Sequence, residues 1–388
     1  MSRFEIKNWC PGALRPMQSG DGLVVRVRPR GSKLTPEQAL GIAEASAKHG
    51  NGLIDLTARG NLQLRGVEAD SHHALINELA ALDLVDEDIA AECRRNIVVT
   101  PFRDDHYGVE TAELAAELEQ TLKAAPDLPG KFGFAVDTGS APVLSETSAD
   151  IRLERSETGT LILRADGAEW GRCVSRSDAP QAALDLAQWF VLSGGVHQGR
   201  GRMAEHIARG KQLPDADRWT VPPAAATYSP RPGPQGEGFL VAAEFGQLHA
   251  EVLGRLAAMG KEVRVTPWRM LFLVGVDSVA DTTGLITNAS SPWLNTSACT
   301  GAPGCLQGLA PTRDLARALA PYVPAGAHLH VSGCAKGCAH PAPATVTLCA
   351  TRHGFDLIRD GRAADSPSRK GLKASQLKSA PQSVFEVS

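Results

Sequence analysis

Thr57-Ala58-Arg59-Gly60-Asn61-Leu62-Gln63-Leu64-Arg65-Gly66-Val67 aligns without a gap on Thr266-Pro267-Trp268-Arg269-Met270-Leu271-Phe272-Leu273-Val274-Gly275-Val276, and this internal match decides the fold. A strand and then a helix precede each copy. The first helix is read from Thr35, with Pro36 in its first turn and Gln38 completing a capping box, to a stop at Gly50. Its counterpart is read from about Gln247 to Gly260, with Leu248, Val252, Leu256 and Met259 at helical spacing. Both units therefore read strand, helix, strand.

Later parts repeat in the same order. Ile151–Gly159 with Leu161–Arg164, and Val346–Gly354 with Leu357–Arg359, alternate apolar and polar residues across a Gly-containing turn, which predicts a hairpin in each half. Between the halves lies a stretch rich in Pro and Gly from about Gln212 to Gly238, read as the linker. Duplication followed by divergence explains the shared order. The expected organisation is a half-domain at 10–75, an α/β domain at 85–211, the linker at 212–238, a second half-domain at 239–285 and a last domain at 288–388, together an α+β fold with pseudo-twofold symmetry.

Only the second half carries clustered cysteines, Cys299-x5-Cys305 and Cys334-x3-Cys338, embedded in the small residues of TSACTGAPGC and VSGCAKGC. Soft thiolates select zinc, copper(I) or an iron–sulfur cluster, and a cubane is held by four of them. Structural zinc pairs usually keep a gap of two to four residues, which the first pair exceeds. Eight cysteines in 388 residues are too few for a disulfide scaffold. The opening MSRFEIKNWCPGALRPM is charged at Arg3, Glu5 and Lys7 and lacks an apolar core of signal-peptide length, so the expectation is a reducing, cytoplasmic setting, where clustered cysteines mean metal or redox chemistry. Cys10, Cys93, Cys173 and Cys349 stand singly and are read as packing residues. A net charge of −3 argues against a nucleic-acid partner, and no apolar run is long enough to span a membrane.

A duplicated strand–helix–strand unit with this cysteine pattern resembles the siroheme-dependent sulfite and nitrite reductase superfamily, over nearly the whole chain from about Cys10 to Arg362. The resemblance implies two ferredoxin-like half-domains and two cluster-domain copies, with a 4Fe-4S cluster on Cys299, Cys305, Cys334 and Cys338. Within the superfamily, CPGALRPMQSGDGLVVRVRP and RVTPWRMLFLVGV look most like the precorrin-3B synthase family. That implies an oxygen-dependent monooxygenase of aerobic cobalamin synthesis, acting on precorrin-3A with electrons ultimately from NADH. Siroheme enters only under the alternative, a sulfite or nitrite reductase.

The reductases aim four cations at their oxyanion. Arg59 in TARG, Arg95 in RRN and Lys131 in LPGKFGFAVD match three of them and are the expected catalytic cations; the fourth, a lysine, is replaced by Gly133. Losing one member of such a set costs transition-state stabilisation and raises the barrier by about a few kcal/mol. Under the synthase reading, carboxylates on the macrocycle call for arginines, and the expected substrate-binding set is Arg26, Arg28, Arg94, Arg264 and Arg269. Arg26 and Arg28 share one strand face.

The cluster supplies electrons one at a time, so oxygen activation needs another centre, for which a mononuclear non-haem iron is the hypothesis. His328, His330 and His340 lie near the cysteines but are read as ordinary strand and loop histidines. No G-x-G-x-x-G follows a strand, and the glycines after Leu192 read as a helix stop, so an external reductase or ferredoxin is expected to deliver electrons. The duplicated halves supply each other's twofold packing, which predicts a monomer.

Overall fold

The computed structural model describes residues 11–103, 106–226 and 228–386. Cys10 lies outside them. Among the described residues the strands form four five-stranded sheets, arranged as two pairs of the same design.

The first half-sheet orders Met17–Ser19, Gly22–Val27, Leu62–Val67, Leu53–Leu56 and Gln247–His249; its twin orders Gly233–Gln235, Gly238–Ala242, Met270–Val274, Val263–Val265 and Lys33–Leu34. All their pairings are antiparallel. Each half lends one short strand to the other. This corrects the second helix: Gln247–His249 pair with Leu53–Asp55, and the helix spans only Ala250–Ala258. The first helix forms as read, Pro36–His49, with both bonds of the Thr35 and Gln38 capping box present.

The two helices pack on each other and on the inner faces of both half-sheets. Val25, Val27, Ile54, Leu62 and Leu64 from one half join Val241, Val263, Val265, Leu271 and Leu273 from the other in a single core. Full burial of side chains this size is worth roughly 1.5–3 kcal/mol each. Alternation then sends the intervening residues outward, and here the halves part company. In register across the first half-sheet lie Arg26, Gln63, Asp55 and Gln247; across its twin lie Leu240, Phe272, Arg264 and Lys33. The first outer face is polar, and the second is largely apolar, with Leu240 and Phe272 packed against Met270, Ile286, Phe102 and Trp268.

The other two sheets mix parallel and antiparallel pairs. One runs Arg172–Cys173, Leu161–Ala165, Ile151–Arg155, Phe134–Asp137, Ile97–Val99; the other runs Thr296–Ala298, Leu329–Ser332, Ala344–Thr351, Gly354–Gly361, Arg369–Leu372. Both predicted hairpins are present. The 212–238 stretch is fastened at both ends. Val221 and Pro223 bridge to Gly171 and Ser156, and Gly233–Gln235 is an edge strand of the second half-sheet.

The parallel strand that ends at Ser332 in the second half ends at Asp137 in the first. Asp137 Oδ2 accepts from the N–H groups of Val143 (2.8 Å) and Leu144 (2.7 Å), while Oδ1 is buried without a partner. Burial, with Glu154 adding to it, pushes its carboxyl up to about 6 against the pull of those N–H groups and Arg152. A raised acid favours the protonated fold. Its contribution is therefore whole below the ordinary carboxylate range and lost as pH rises from about 4 to about 6, by on the order of 3 kcal/mol. Asp137→Asn is expected to remove that loss, so the stability difference between variant and wild type should grow across this window and stay flat above it. Parallel stability curves in chemical denaturation from pH 4 to 7 would contradict this.

Candidate functional site

Two parallel neighbours, Thr296–Ala298 and Leu329–Ser332, are in register with Ala298 opposite Val331, so the chain leaves both at the same sheet edge. Ligand loops gather at such carboxyl ends. Cys299 and Cys305 follow the first strand, and Cys334 and Cys338 follow the second. The Gly333 N–H donates to Cys299 Sγ (3.1 Å), the Leu309 N–H to the Gly333 carbonyl (2.8 Å), and the Thr312 hydroxyl to the Cys299 carbonyl (2.5 Å). A Cβ on Gly333 would meet Gly301 Cα at 3.1 Å and Cys299 Sγ at 3.4 Å, so a side chain here would press the two loops apart by a few tenths of an ångström.

Burial raises the thiols of Cys334 and Cys338, and both also feel Cys299 and Cys305. The four sulfurs thus form one electrostatic group. Among the described residues no three His, Cys, Asp or Glu side chains close tightly enough to hold a single metal ion. A cubane carries its thiolates at separate corners, and an all-thiolate donor set with an N–H···S bond and a glycine-lined wall fits it. Cys349 is buried in the neighbouring strand, its thiol pushed up to about 12 by burial and by Cys334, Asp356 and Cys299. Cys93 is half-buried and Cys173 is exposed.

The cysteine loop is pinned to the polar face of the first half-sheet. The Gly304 carbonyl accepts from Ser19 Oγ (2.6 Å), Arg65 Nη2 (2.9 Å) and the Gly20 N–H (3.2 Å). At the equivalent edge in the first half there is no thiol among the described residues. Phe102 occupies it, stacked on Trp268 (5.8 Å) and edge-on to Phe272 (5.1 Å).

The expected cations divide. Arg59 donates to the Lys131 carbonyl (2.8 Å) and to Ser148 Oγ (3.4 Å), so these two meet at one end of the polar face. Lys131 itself is exposed. Arg202 joins them, bonded to Ser148 Oγ (3.0 Å) and to Asp150 Oδ1 (2.9 Å), and Asp150 in turn accepts from the Gly133 N–H (2.9 Å) and the Met203 N–H (2.8 Å). Arg26 lies on the same face, bonded to Gln63 Oε1 (2.6 Å). Arg269 lies near Asp55, Arg313 and Cys338; burial first and Arg313 next pull its guanidinium below the ordinary value, and Asp55 and Cys338 oppose them.

Three of the others have acidic partners within the fold. Expected as a catalytic cation, Arg95 is instead buried with Nε and Nη2 each 2.8 Å from Asp86. Arg28, expected on substrate, is buried beside Glu92, 3.7 Å away. Arg264 is buried between Glu262 (2.7 Å), Glu237 (2.5 Å) and the Pro101 carbonyl (2.6 Å). Arg94 ends a short helix with Nε buried and unpartnered. A charged pair already satisfied in the interior loses heavily if one member is drawn away.

His330 is fully buried with neither ring nitrogen bonded, its ring 5.8 Å from His340, which stacks on His328 at 4.2 Å. Burial and then His340 push His328 and His330 down to about 4, with His328 and Arg269 adding to the shift on His330, so both rings stay neutral near pH 7. No helix among the described residues is long and apolar enough to cross a membrane.

Sequence reading missed Asp55, Ser148, Asp150, Arg202 and Arg313. Asp55 alone carried a signal, as the acid between buried Ile54 and Leu56.

Comparison with known proteins agrees with the fold. Residues 15–82 match the Nitrite/Sulfite reductase ferredoxin-like half domain. A precorrin-3B synthase from Sinorhizobium sp is 29% identical over 391 residues, covering 92% of this chain and 84% of that protein. The solved NirA protein of Mycobacterium tuberculosis superposes with a TM-score of 0.67 at 17% identity, covering 93% of this chain and 79% of its own. The chain thus has the duplicated α+β fold of nitrite and sulfite reductases.

Proposed function

We propose that this chain is a precorrin-3B synthase, which hydroxylates precorrin-3A at C20 and closes a lactone from the ring A acetate. One atom of dioxygen enters the product and the other leaves as water, with two electrons drawn ultimately from NADH. Similarity to a precorrin-3B synthase along nearly the whole length supports this reading. The observation that carries it against a reductase is Gly133. Where the reductases hold a lysine, this residue is buried, and a Cβ there would meet Asn96 Nδ2 at 2.7 Å. With Arg95 bonded to Asp86 as well, Arg59 and Lys131 are the members of the oxyanion quartet left adjoining one another.

A cluster on the four cysteines would supply electrons singly. The chain's own residues do the binding: the Arg26, Gln63 and Asp55 face offers a polar floor, and Arg59 and Lys131 offer cations at its end. Arg59→Ala is expected to lower kcat/KM for the tetrapyrrole about 10-fold, largely through KM, since a charge-assisted contact on a half-buried residue is lost while the core stays intact. A steady-state comparison that found KM unchanged would remove Arg59 from the substrate site.

The deciding experiment is aerobic incubation of the purified protein with precorrin-3A, a ferredoxin and its NADH-linked reductase, followed by mass spectrometry. A gain of one oxygen is expected. Unchanged substrate with a working electron donor would defeat the proposal. The second reading, a siroheme-dependent sulfite or nitrite reductase, is favoured only by the adjoining Arg59 and Lys131, and a siroheme absorption spectrum in the isolated protein would select it.

A further inference from the structure

The polar face of the first half-sheet holds more arginine than its acids neutralise. Arg65 is met by Asp21, with Nη2 to Oδ1 at 2.8 Å and Nε to Oδ2 at 3.1 Å. Arg65 Nε also lies 3.7 Å from Asp55 Oδ2, so Asp55 is shared between Arg65, Arg313 and Arg269. Asp55 Oδ1 accepts from Arg313 Nη2 (3.3 Å) and from Gln247 Nε2 (2.8 Å), and Arg313 Nε is buried with no partner. Arg269 has a left-handed backbone (φ 60°), its stem lies against Gly246, and its guanidinium is within electrostatic reach of Asp55, Arg313 and Cys338. Like charges sharing one carboxylate, with an N–H left unbonded, describe a site short of one anion.

We propose that Arg313 and Arg269 form a subsite for one carboxylate of the tetrapyrrole beside Cys338, with Asp55 as the residue that positions them. This rests on the substrate class proposed above. A guanidinium offers two parallel N–H donors to a carboxylate, which a lysine cannot reproduce. The rival account is that the arginines only offset the negative charge of the cysteine thiolates.

The test titrates purified full-length protein, cluster intact, with octacarboxylic uroporphyrin I and tetracarboxylic coproporphyrin I, following porphyrin fluorescence. Arg313→Gln is expected to weaken uroporphyrin binding roughly 10- to 100-fold and to flatten its salt dependence, and Arg313→Lys to recover only part of the loss. Cluster absorbance and Tm confirm folding for each variant, and Arg313→Lys stands in should the glutamine variant not fold. Asp55→Asn separates the accounts by sign. Removing a negative charge beside an anion site tightens binding if the charge alone matters, but loosens it several-fold if Asp55 holds the guanidiniums in place. Tighter uroporphyrin binding by Asp55→Asn overturns the positioning role. Unchanged binding by Arg313→Gln with a shifted cluster potential overturns the subsite in favour of the rival. Wild-type protein that binds neither porphyrin counts against the tetrapyrrole reading itself and takes the subsite with it.

Discussion

Under the proposed function, changing Cys334 to serine is expected to abolish both the broad visible absorption of a cluster and the turnover of precorrin-3A. Cys334 leaves the strand Leu329–Ser332 beside the strand that feeds Cys299, and its thiol belongs to the group formed with Cys299, Cys305 and Cys338. A serine hydroxyl is a hard, weakly acidic donor where the site offers soft thiolates. Loss of a direct ligand should exceed the roughly 10- to 100-fold penalty that outer-shell partners of a metal carry. Cys173→Ser is the control, since that residue is exposed on an edge strand of the other half. Full iron content, unchanged absorbance and normal turnover in Cys334→Ser would end the cluster assignment.

Gly133→Lys, which restores the residue that the reductases carry, is expected to destabilise the protein and to yield no sulfite reduction. A Cβ at this position would lie 2.7 Å from Asn96 Nδ2 and 3.1 Å from the Asn96 carbonyl oxygen. Asn96 cannot move aside freely, because Nδ2 donates to the Phe132 carbonyl at 2.7 Å. The Gly133 N–H is itself bonded to the fully buried Asp150, which also holds Arg202 and Met203. Overpacking of this kind costs about 1–3 kcal/mol, and loss of the Asn96 bond adds about 1 kcal/mol. Thermal denaturation should show a Tm lower by roughly 5–10 °C. An unchanged Tm together with new sulfite-reducing activity would mean that the backbone here yields easily and that a glycine alone separates the two chemistries.

What the sequence disclosed follows the range of the forces involved. The Thr35 capping box is a contact between residues three apart, and it was legible down to its bonds. The helix at 250 was read three residues early because Leu248 falls in step with Val252, whereas the strand that Gln247–His249 forms depends on Leu53–Asp55 in the other half. The same limit sorts the arginines. Arg59 and Lys131 came from local motifs, and the structure sets them side by side. The internal partners of Arg28, Arg95 and Arg264 are Glu92, Asp86 and Glu237, and nothing in their local patterns marks the match. Asp55 and Arg313 are 258 residues apart, beyond any periodicity.

The exchanged strands also set a timetable for synthesis. The edge strand Leu53–Leu56 of the first half-sheet gains its neighbour only when Gln247–His249 have left the ribosome. Until then an open row of backbone donors and acceptors waits on a nascent chain, the kind of edge that templates aggregation. Lys33–Leu34, made early, waits in turn for Val263–Val265. Neither half-sheet can be finished before the other has begun, so the duplicated halves reach completion together and late, once Met270–Val274 has been made.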